Sequence, residues 1–294
     1  MKPRRSLLFA PANDLRKVEK ALSLDADGVI IDLEDAVALS EKVKARSLAQ
    51  DILRQAGSKT IYVRINSVAS PFIVGDIIAI MNNRPTGIML PKAESAEEIK
   101  RVDWLMNQLE EEYKLLPGQV ELVPLIETAY GVLNAFKIGS ATTRVKFLTF
   151  GAIDYTLDIG TSLSNTGHEI FYARAHLVVA SRAAGCEAPV DTVYPDLKNT
   201  EGFRAECLFA RQLGYQGKLI IHPSQIETAN EIFSPAEEEI EYARKVVKAF
   251  EGAHKQGVAA VQLEGKFIDY PVAARAKRVL EMANILKYKV VSSS

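Results

Sequence analysis

From Ser6 to Pro223 short apolar runs alternate with longer stretches whose apolar residues recur at a helical period. Eight runs predict strands: Ser6–Pro11, Gly28–Glu34, Thr60–Asn66, Gly87–Lys92, Glu121–Glu127, Val145–Gly151, Ala188–Tyr194 and Gly217–Pro223. Nearly all are continuously apolar instead of alternating, the pattern of parallel strands covered on both faces. Between them lie helix signals. Ser95-Ala-Glu-Glu98 is a capping box opening a helix to about Leu115. Ser234-Pro235-Ala-Glu237 repeats the device, with Pro235 at the first helical position, and leads a long helix to about Lys255. Asn13 or Asp14 caps the first helix, and a turn around Gly160–Gly167 precedes a helix over Tyr172–Ala184. Strict β/α alternation predicts an α/β fold, a (β/α)8 TIM barrel with a C-terminal helical extension. A dinucleotide-binding sheet is disfavoured because no G-x-G-x-x-G follows the first strand. The barrel domain is expected over 1–257. The remaining 258–294 exceeds what a barrel needs, so it is expected to cover the barrel mouth or touch a neighbouring subunit.

Composition narrows the field. The chain of 294 residues is 48% hydrophobic and 25% charged, as in an ordinary globular protein. A net charge of −1 gives no reason to expect nucleic acid or an acidic membrane as partner. Cys186 and Cys207 have no metal-ligand spacing, which favours reduced thiols and a cytoplasmic location. The opening Met1-Lys-Pro-Arg-Arg resembles the start of an export signal. Its apolar stretch ends after about five residues, short of a signal's roughly 7–15, so a first barrel strand is expected there. No apolar segment approaches the length of a bilayer span.

In barrels the chemistry gathers at the C-terminal strand ends. There the chain carries Asp32-Leu-Glu34-Asp35, Arg64, Lys92, Glu127, Asp154 and His222, too many charges for packing alone. Glu127 and Asp154 follow adjacent strands, so both are expected at one mouth. Two carboxylates among small residues suit a hard divalent cation such as Mg2+, which polarises carbonyls and steadies oxyanions. The competing reading makes them helix caps or ion-pair partners. Arg64 either neutralises this acidic mouth or grips a substrate oxygen through paired donors. Glu34 and Asp35 are expected to orient Arg64, Lys92 or metal waters. Lys92 reads as an ammonium in an ion network ahead of a Schiff-base lysine, and His222 as a hydrogen-bonded structural histidine. Phosphate loops, zinc-protease helices, nucleophile elbows and C-x-x-C pairs are missing from the sequence.

Several stretches occur together in one order: Arg5-Ser-Leu-Leu-Phe-Ala-Pro11, Asp32-Leu-Glu-Asp-Ala-Val37, Val63-Arg-Ile-Asn66, Leu90-Pro-Lys-Ala-Glu94, Ile126-Glu-Thr-Ala-Tyr-Gly-Val132, Phe150-Gly-Ala-Ile-Asp154 and Ile221-His-Pro-Ser-Gln225. In these the chain resembles the citrate lyase β-subunit-like family within the HpcH/HpaI aldolase group, over residues 5 to about 285. The resemblance implies a barrel, often a homotrimer, that binds Mg2+ through Glu127 and Asp154. It implies that Arg64 and Glu127 contact substrate and that Phe9, Arg16 and Lys20 lie where relatives meet substrate or coenzyme A. The family often has tyrosine at the position of Phe9, so its phenolic hydrogen bond is missing here. Asp269, in Gly265-Lys-Phe-Ile-Asp269-Tyr-Pro271, occupies the place of an aspartate that reaches a neighbouring subunit's site in citramalyl-CoA lyase-like relatives.

The activity the resemblance implies is Mg-dependent cleavage of a 3-hydroxyacyl-CoA, of citramalyl-CoA or malyl-CoA type, to acetyl-CoA and a 2-oxo acid. Arg64 and Asp269 are the expected catalytic residues. Three alternatives stay open: a citrate lyase β subunit acting on a citryl thioester to give oxaloacetate, a malyl-CoA thioesterase, and a non-catalytic barrel.

Overall fold

In the computed structural model, residues 2–55, 57–255 and 258–292 are described, the last six of these by their backbone alone. The chain divides into two compact units, Arg4–Asn230 and Glu231–Ser294, the latter joined by Met1–Pro3.

The larger unit is a closed barrel of eight parallel strands in sequence order. They are β1 (Ser6–Pro11), β2 (Gly28–Asp32), β3 (Ile61–Arg64), β4 (Gly87–Leu90), β5 (Glu121–Ile126), β6 (Thr149–Phe150), β7 (Val190–Asp191) and β8 (Gly217–Ile220). Strand β1 pairs with β2 on one side and β8 on the other, which closes the ring. The helices are α1 (Leu15–Ser23), α2 (Lys42–Gln55), α3 (Ile73–Met81), α4 (Ala96–Glu112), α5 (Ala129–Gly139), α6 (Ala152–Asp158), α7 (His168–Ala183) and α8 (Thr200–Leu213), followed by α9 (Ile226–Ile232), which spans the division between units. All eight expected strands are present, with several ends trimmed. The expected run Val145–Gly151 shrinks most, to β6; Phe147 and Leu148, just before it, are fully buried, and the Leu148 carbonyl accepts the Val190 N–H at 3.0 Å.

Inside the barrel, Leu7, Ile30, Tyr62, Met89, Val123, Leu125, Phe147, Val190 and Leu219 fill the lumen, so the barrel is a packed core and not a pore. At the end near the strand starts, Arg4 donates to Tyr62 and Glu121, pairs with Glu187 and lies 4.3 Å over the Phe147 ring. That plug leaves the opposite end open for chemistry.

Local signals read in the sequence set the helix starts. Ser95 and Glu98 form the expected capping box of α4, and Asp14 caps α1 by accepting the Lys17 N–H at 3.2 Å. Helix α7 begins at His168, earlier than expected, right after Gly167 in a left-handed conformation (φ 63°).

The smaller unit contains α10 (Glu237–Lys255), the antiparallel hairpin β9 (Val261–Leu263) and β10 (Lys266–Ile268), and α11 (Tyr270–Ser292). Helix α10 starts beyond Pro235, with the Glu239 carboxylate accepting the Ala236 N–H at 2.8 Å. Ala243 and Val246 of α10 pack with Ile268 and Ala276. Helix α10 therefore groups with the C-terminal segment, although the pattern of the sequence assigned it to the barrel; Gly257, the expected boundary, lies outside the described residues. Among the described residues no helix is long and apolar enough to cross a membrane.

Candidate active site

A cavity of about 420 Å³ opens at the C-terminal ends of the strands. Phe9, Arg64, Glu127 and Asp154, all singled out in the sequence, line it together. Its lining also includes the apolar residues Leu125, Phe150, Val193, Leu219 and Ile221.

Arg64 ends β3 and is fixed by β2. Its Nε and Nη2 donate to Asp32 Oδ1 and Oδ2 at 2.7 and 2.6 Å, a bidentate fork that sets the plane of the guanidinium. Nη1 lies 3.0 Å from Glu34 Oε2, and the Phe9 ring sits below it with its centroid 4.9 Å from Cζ. Asp32 is itself held by the backbone N–H groups of Glu34 and Ala36. Burial disfavours the charged guanidinium, but the hydrogen bond and charge of Asp32, with those of Glu34 and Glu127, outweigh it and leave Arg64 a firmer cation than usual. Asp32 is a positioning residue whose role the sequence did not specify: a strand-end acid signals charge, not the partner it faces.

Glu127 directly follows β5. The cap of α5 is Thr128, whose hydroxyl accepts the Gly131 N–H at 3.1 Å, so Glu127 is not spent on capping. Its Oε1 accepts the Lys92 N–H at 2.8 Å. Its Oε2 lies against Gly151, where an added Cβ would stand 2.5 Å away; only glycine leaves room for the carboxylate there. Burial, then the charges of Asp154 and Glu34, push its carboxyl up to about 8, against the opposing pull of Arg64 and the Lys92 N–H. Asp154 lies in the first turn of α6, a short helix not foreseen in the sequence, whose cap is the side-chain-free Gly151.

Lys92 binds the acids together. Its ammonium donates to Glu34 Oε1 at 2.7 Å and stands 3.8 Å from Asp154 and 4.0 Å from Asp35. Burial lowers its affinity for the proton, but Glu34, Asp35 and Glu127 more than compensate and push it up to about 12. A Schiff-base role needs a neutral amine, so the ion-network reading is the one the geometry supports. His222 is exposed and accepts the Ser224 N–H at its ring Nδ1, 3.2 Å away, the structural part anticipated for it.

The carboxylates outnumber the cations. Asp32, Glu34, Asp35, Glu127 and Asp154 face Arg64 and Lys92, and the buried Glu34 Oε2 has an ion-pair distance to Arg64 without a hydrogen-bond partner. A buried glutamate driven toward neutrality beside a second acid is the condition a divalent cation relieves. Among the described residues no cluster of three or more acids, histidines or cysteines has the arrangement of an all-protein metal cage. Mg2+ does not need one, because it commonly takes one or two carboxylates and completes its shell with water and substrate. Glu127 and Asp154 fit that donor set.

Arg16 and Lys20 are not among the residues that line this cavity. Arg16, on α1, lines a shallow depression that shares Pro11 and Ala36 with the main cavity. Lys20 is exposed one turn farther along α1 and lines neither. Asp269 belongs to the unit Glu231–Ser294, where its Oδ1 accepts the Val272 N–H at 3.2 Å at the start of α11.

A closed parallel barrel with an acid-and-arginine cavity at its C-terminal mouth defines a (β/α)8-barrel enzyme as the class to which the chain corresponds. Residues 5–223 match the HpcH/HpaI aldolase/citrate lyase family, and the chain belongs to it. It is 38% identical to the citrate lyase subunit beta of Leuconostoc mesenteroides subsp. cremoris, across 96% of this chain and 93% of that one. It is 33% identical to the human mitochondrial citramalyl-CoA lyase, across 98% and 87%. The crystal structure of CitE from Mycobacterium tuberculosis in complex with magnesium, acetoacetate and coenzyme A superposes with a TM-score of 0.77 at 29% identity, across 96% of this chain and 98% of that one. A citrate lyase from Burkholderia xenovorans LB400, at 20% identity, shares the fold with a TM-score of 0.83. The chain is a carbon–carbon lyase of the citrate lyase β-subunit-like kind.

Proposed function

We infer that this lyase cleaves a 3-hydroxyacyl-CoA of the citramalyl-CoA or malyl-CoA type to acetyl-CoA and a 2-oxo acid, with Mg2+ held by Glu127 and Asp154. The observation that carries the reading is the convergence of those two carboxylates and Arg64 on one cavity that apolar residues also line. The magnesium complex of the related CitE supports it.

The reaction breaks the bond between C2 and C3 of the acyl chain. The 3-hydroxyl gives its proton to water as it becomes the keto group of the 2-oxo acid, and the bonding pair moves to C2 of the departing acetyl thioester, which takes up a proton in its place. When bound, Mg2+ supplies Lewis-acid stabilisation of oxygen charge. Arg64, its plane set by Asp32, presents guanidinium donors to a substrate oxygen, a charge-assisted contact of about 1.5–3 kcal/mol. Phe9 and the apolar lining residues exclude water from the carbon being released. Asp269 delivers the proton to acetyl C2 and removes it in the reverse direction. Arg16 and Lys20, one helical turn apart on α1, offer cations to the phosphates of coenzyme A. The active form is a cytoplasmic homotrimer in which the segment from Val258 onward covers the barrel mouth or completes a neighbour's site.

A second reading, citrate lyase β subunit acting on a citryl thioester, is favoured by the higher identity to citrate lyase subunits beta than to citramalyl-CoA lyases. Malyl-CoA thioesterase activity differs by releasing free coenzyme A. One panel separates all three: the isolated chain is given citramalyl-CoA, malyl-CoA and citryl-CoA, with Mg2+ or with EDTA, and 2-oxo acid and free thiol are measured. The proposal expects Mg-dependent 2-oxo acid with no free thiol. Thiol release supports the thioesterase, and inactivity on every free CoA thioester supports the citrate lyase subunit.

A further inference from the structure

Lys92 occupies an unusual backbone position as well as a central electrostatic one. Its φ is 50°, in the left-handed region that a lysine enters at a cost. Its backbone holds one metal-binding candidate while its side chain approaches the other: its N–H reaches Glu127 at 2.8 Å, and its ammonium lies 3.8 Å from Asp154. Its side chain is half-buried and is not among the residues that line the cavity, although Asp154 beside it is. Its contacts are unequal. The hydrogen bond to Glu34 at 2.7 Å is tight, whereas Asp154 and Asp35 lie at 3.8 and 4.0 Å.

We propose that the Lys92 ammonium is the site's internal counter-cation, keeping Glu34 but ceding Asp154 to the divalent ion, and thereby holding metal affinity low in the absence of substrate. The inference rests on Glu127 and Asp154 being the metal-binding pair. An ion gripping Asp154 must approach a positive charge held 3.8 Å from that carboxylate, and the repulsion between the two cations opposes binding. A substrate carboxylate adds the negative charge that offsets it, so ion and acid fragment enter as a favoured pair. Lys92 is thus a positioning residue that sets the order of assembly.

The backbone contact makes the side chain separately testable, because substitution keeps the N–H that orients Glu127. Mn2+ binding without substrate is measured by calorimetry and electron paramagnetic resonance on the wild type and on Lys92→Met, Lys92→Gly and Lys92→Arg. Glycine adopts the left-handed conformation freely, so Lys92→Gly guards against misfolding in the methionine variant. Loss of the charge tightens Mn2+ binding about tenfold in both Met and Gly variants, while Lys92→Arg stays within about threefold of the wild type. Unchanged or weaker binding in the neutral variants, with the wild type binding Mn2+ when pyruvate is present, overturns the role of Lys92 alone. Absence of Mn2+ binding in the wild type and in every variant, with pyruvate present as well as without it, overturns this inference together with the metal reading beneath it.

Discussion

Gly151 shows how a residue without a side chain shapes this site. A Cβ there would meet Glu127 Oε2 at 2.5 Å and Glu127 Cβ at 2.7 Å, closer than real side chains pack, and Glu127 is too buried to swing aside. Gly151→Ala is therefore expected to displace the carboxylate, weaken Mn2+ binding at least tenfold and cost about 1–3 kcal/mol in urea denaturation. Binding and stability both equal to the wild type count against the fixed placement of Glu127. The residue types at the mouth were legible because charged side chains at the ends of apolar strands have no packing reason to be there. Their partners were not: that Asp32 clamps Arg64, or that Lys92 is left-handed, depends on neighbours brought together from different strands.

At the level of elements, β7 and β8 are joined to α7 and α8 by buried charge. Asp191 accepts from Arg174 Nε and Nη2 at 3.0 and 2.9 Å and from Lys218 Nζ at 2.7 Å, and Glu206 of α8 completes the group. Burial pushes the Asp191 carboxyl up, but the cations of Arg174 and Lys218 outweigh it and hold it below its ordinary value. A depressed carboxyl contributes stability above its unfolded value of about 3.9 and loses it as pH falls through the lower folded value. Asp191→Asn should cost about 3–5 kcal/mol at neutral pH, since it strands two buried cations. The gap to the wild type should narrow below about pH 3.9; a constant gap in urea midpoints from pH 6 to pH 3 contradicts the assignment. The strand order was legible because strands such as Gly28–Asp32 are buried on both faces and read as unbroken apolar runs. The short helix α6 was not, because seven residues carry too little of a helical period. The grouping of α10 depends on its packing with Ile268 and Ala276, a contact that no local pattern encodes.

For the whole molecule, the proposed proton donor and the metal-binding pair belong to different compact units, Asp269 to Glu231–Ser294 and Glu127 with Asp154 to Arg4–Asn230. Catalysis on the proposed scheme requires both units. Asp269→Asn should lower kcat by on the order of 10²–10⁴ and suppress deuterium exchange into acetyl-CoA, with Mn2+ binding unchanged. Wild-type exchange removes Asp269 from the mechanism. If the segment from Val258 onward completes a neighbour's site, co-assembled Glu127→Gln and Asp269→Asn chains regain activity that neither variant shows alone; no regain restricts the site to one chain.

The most direct measurement is anomalous diffraction from crystals grown with Mn2+ and pyruvate. The account predicts one strong peak within about 2.0–2.3 Å of an oxygen of Glu127 and one of Asp154, and loss of that peak in Glu127→Gln crystals. A peak that avoids either carboxylate, or one that persists unchanged in the variant, contradicts it.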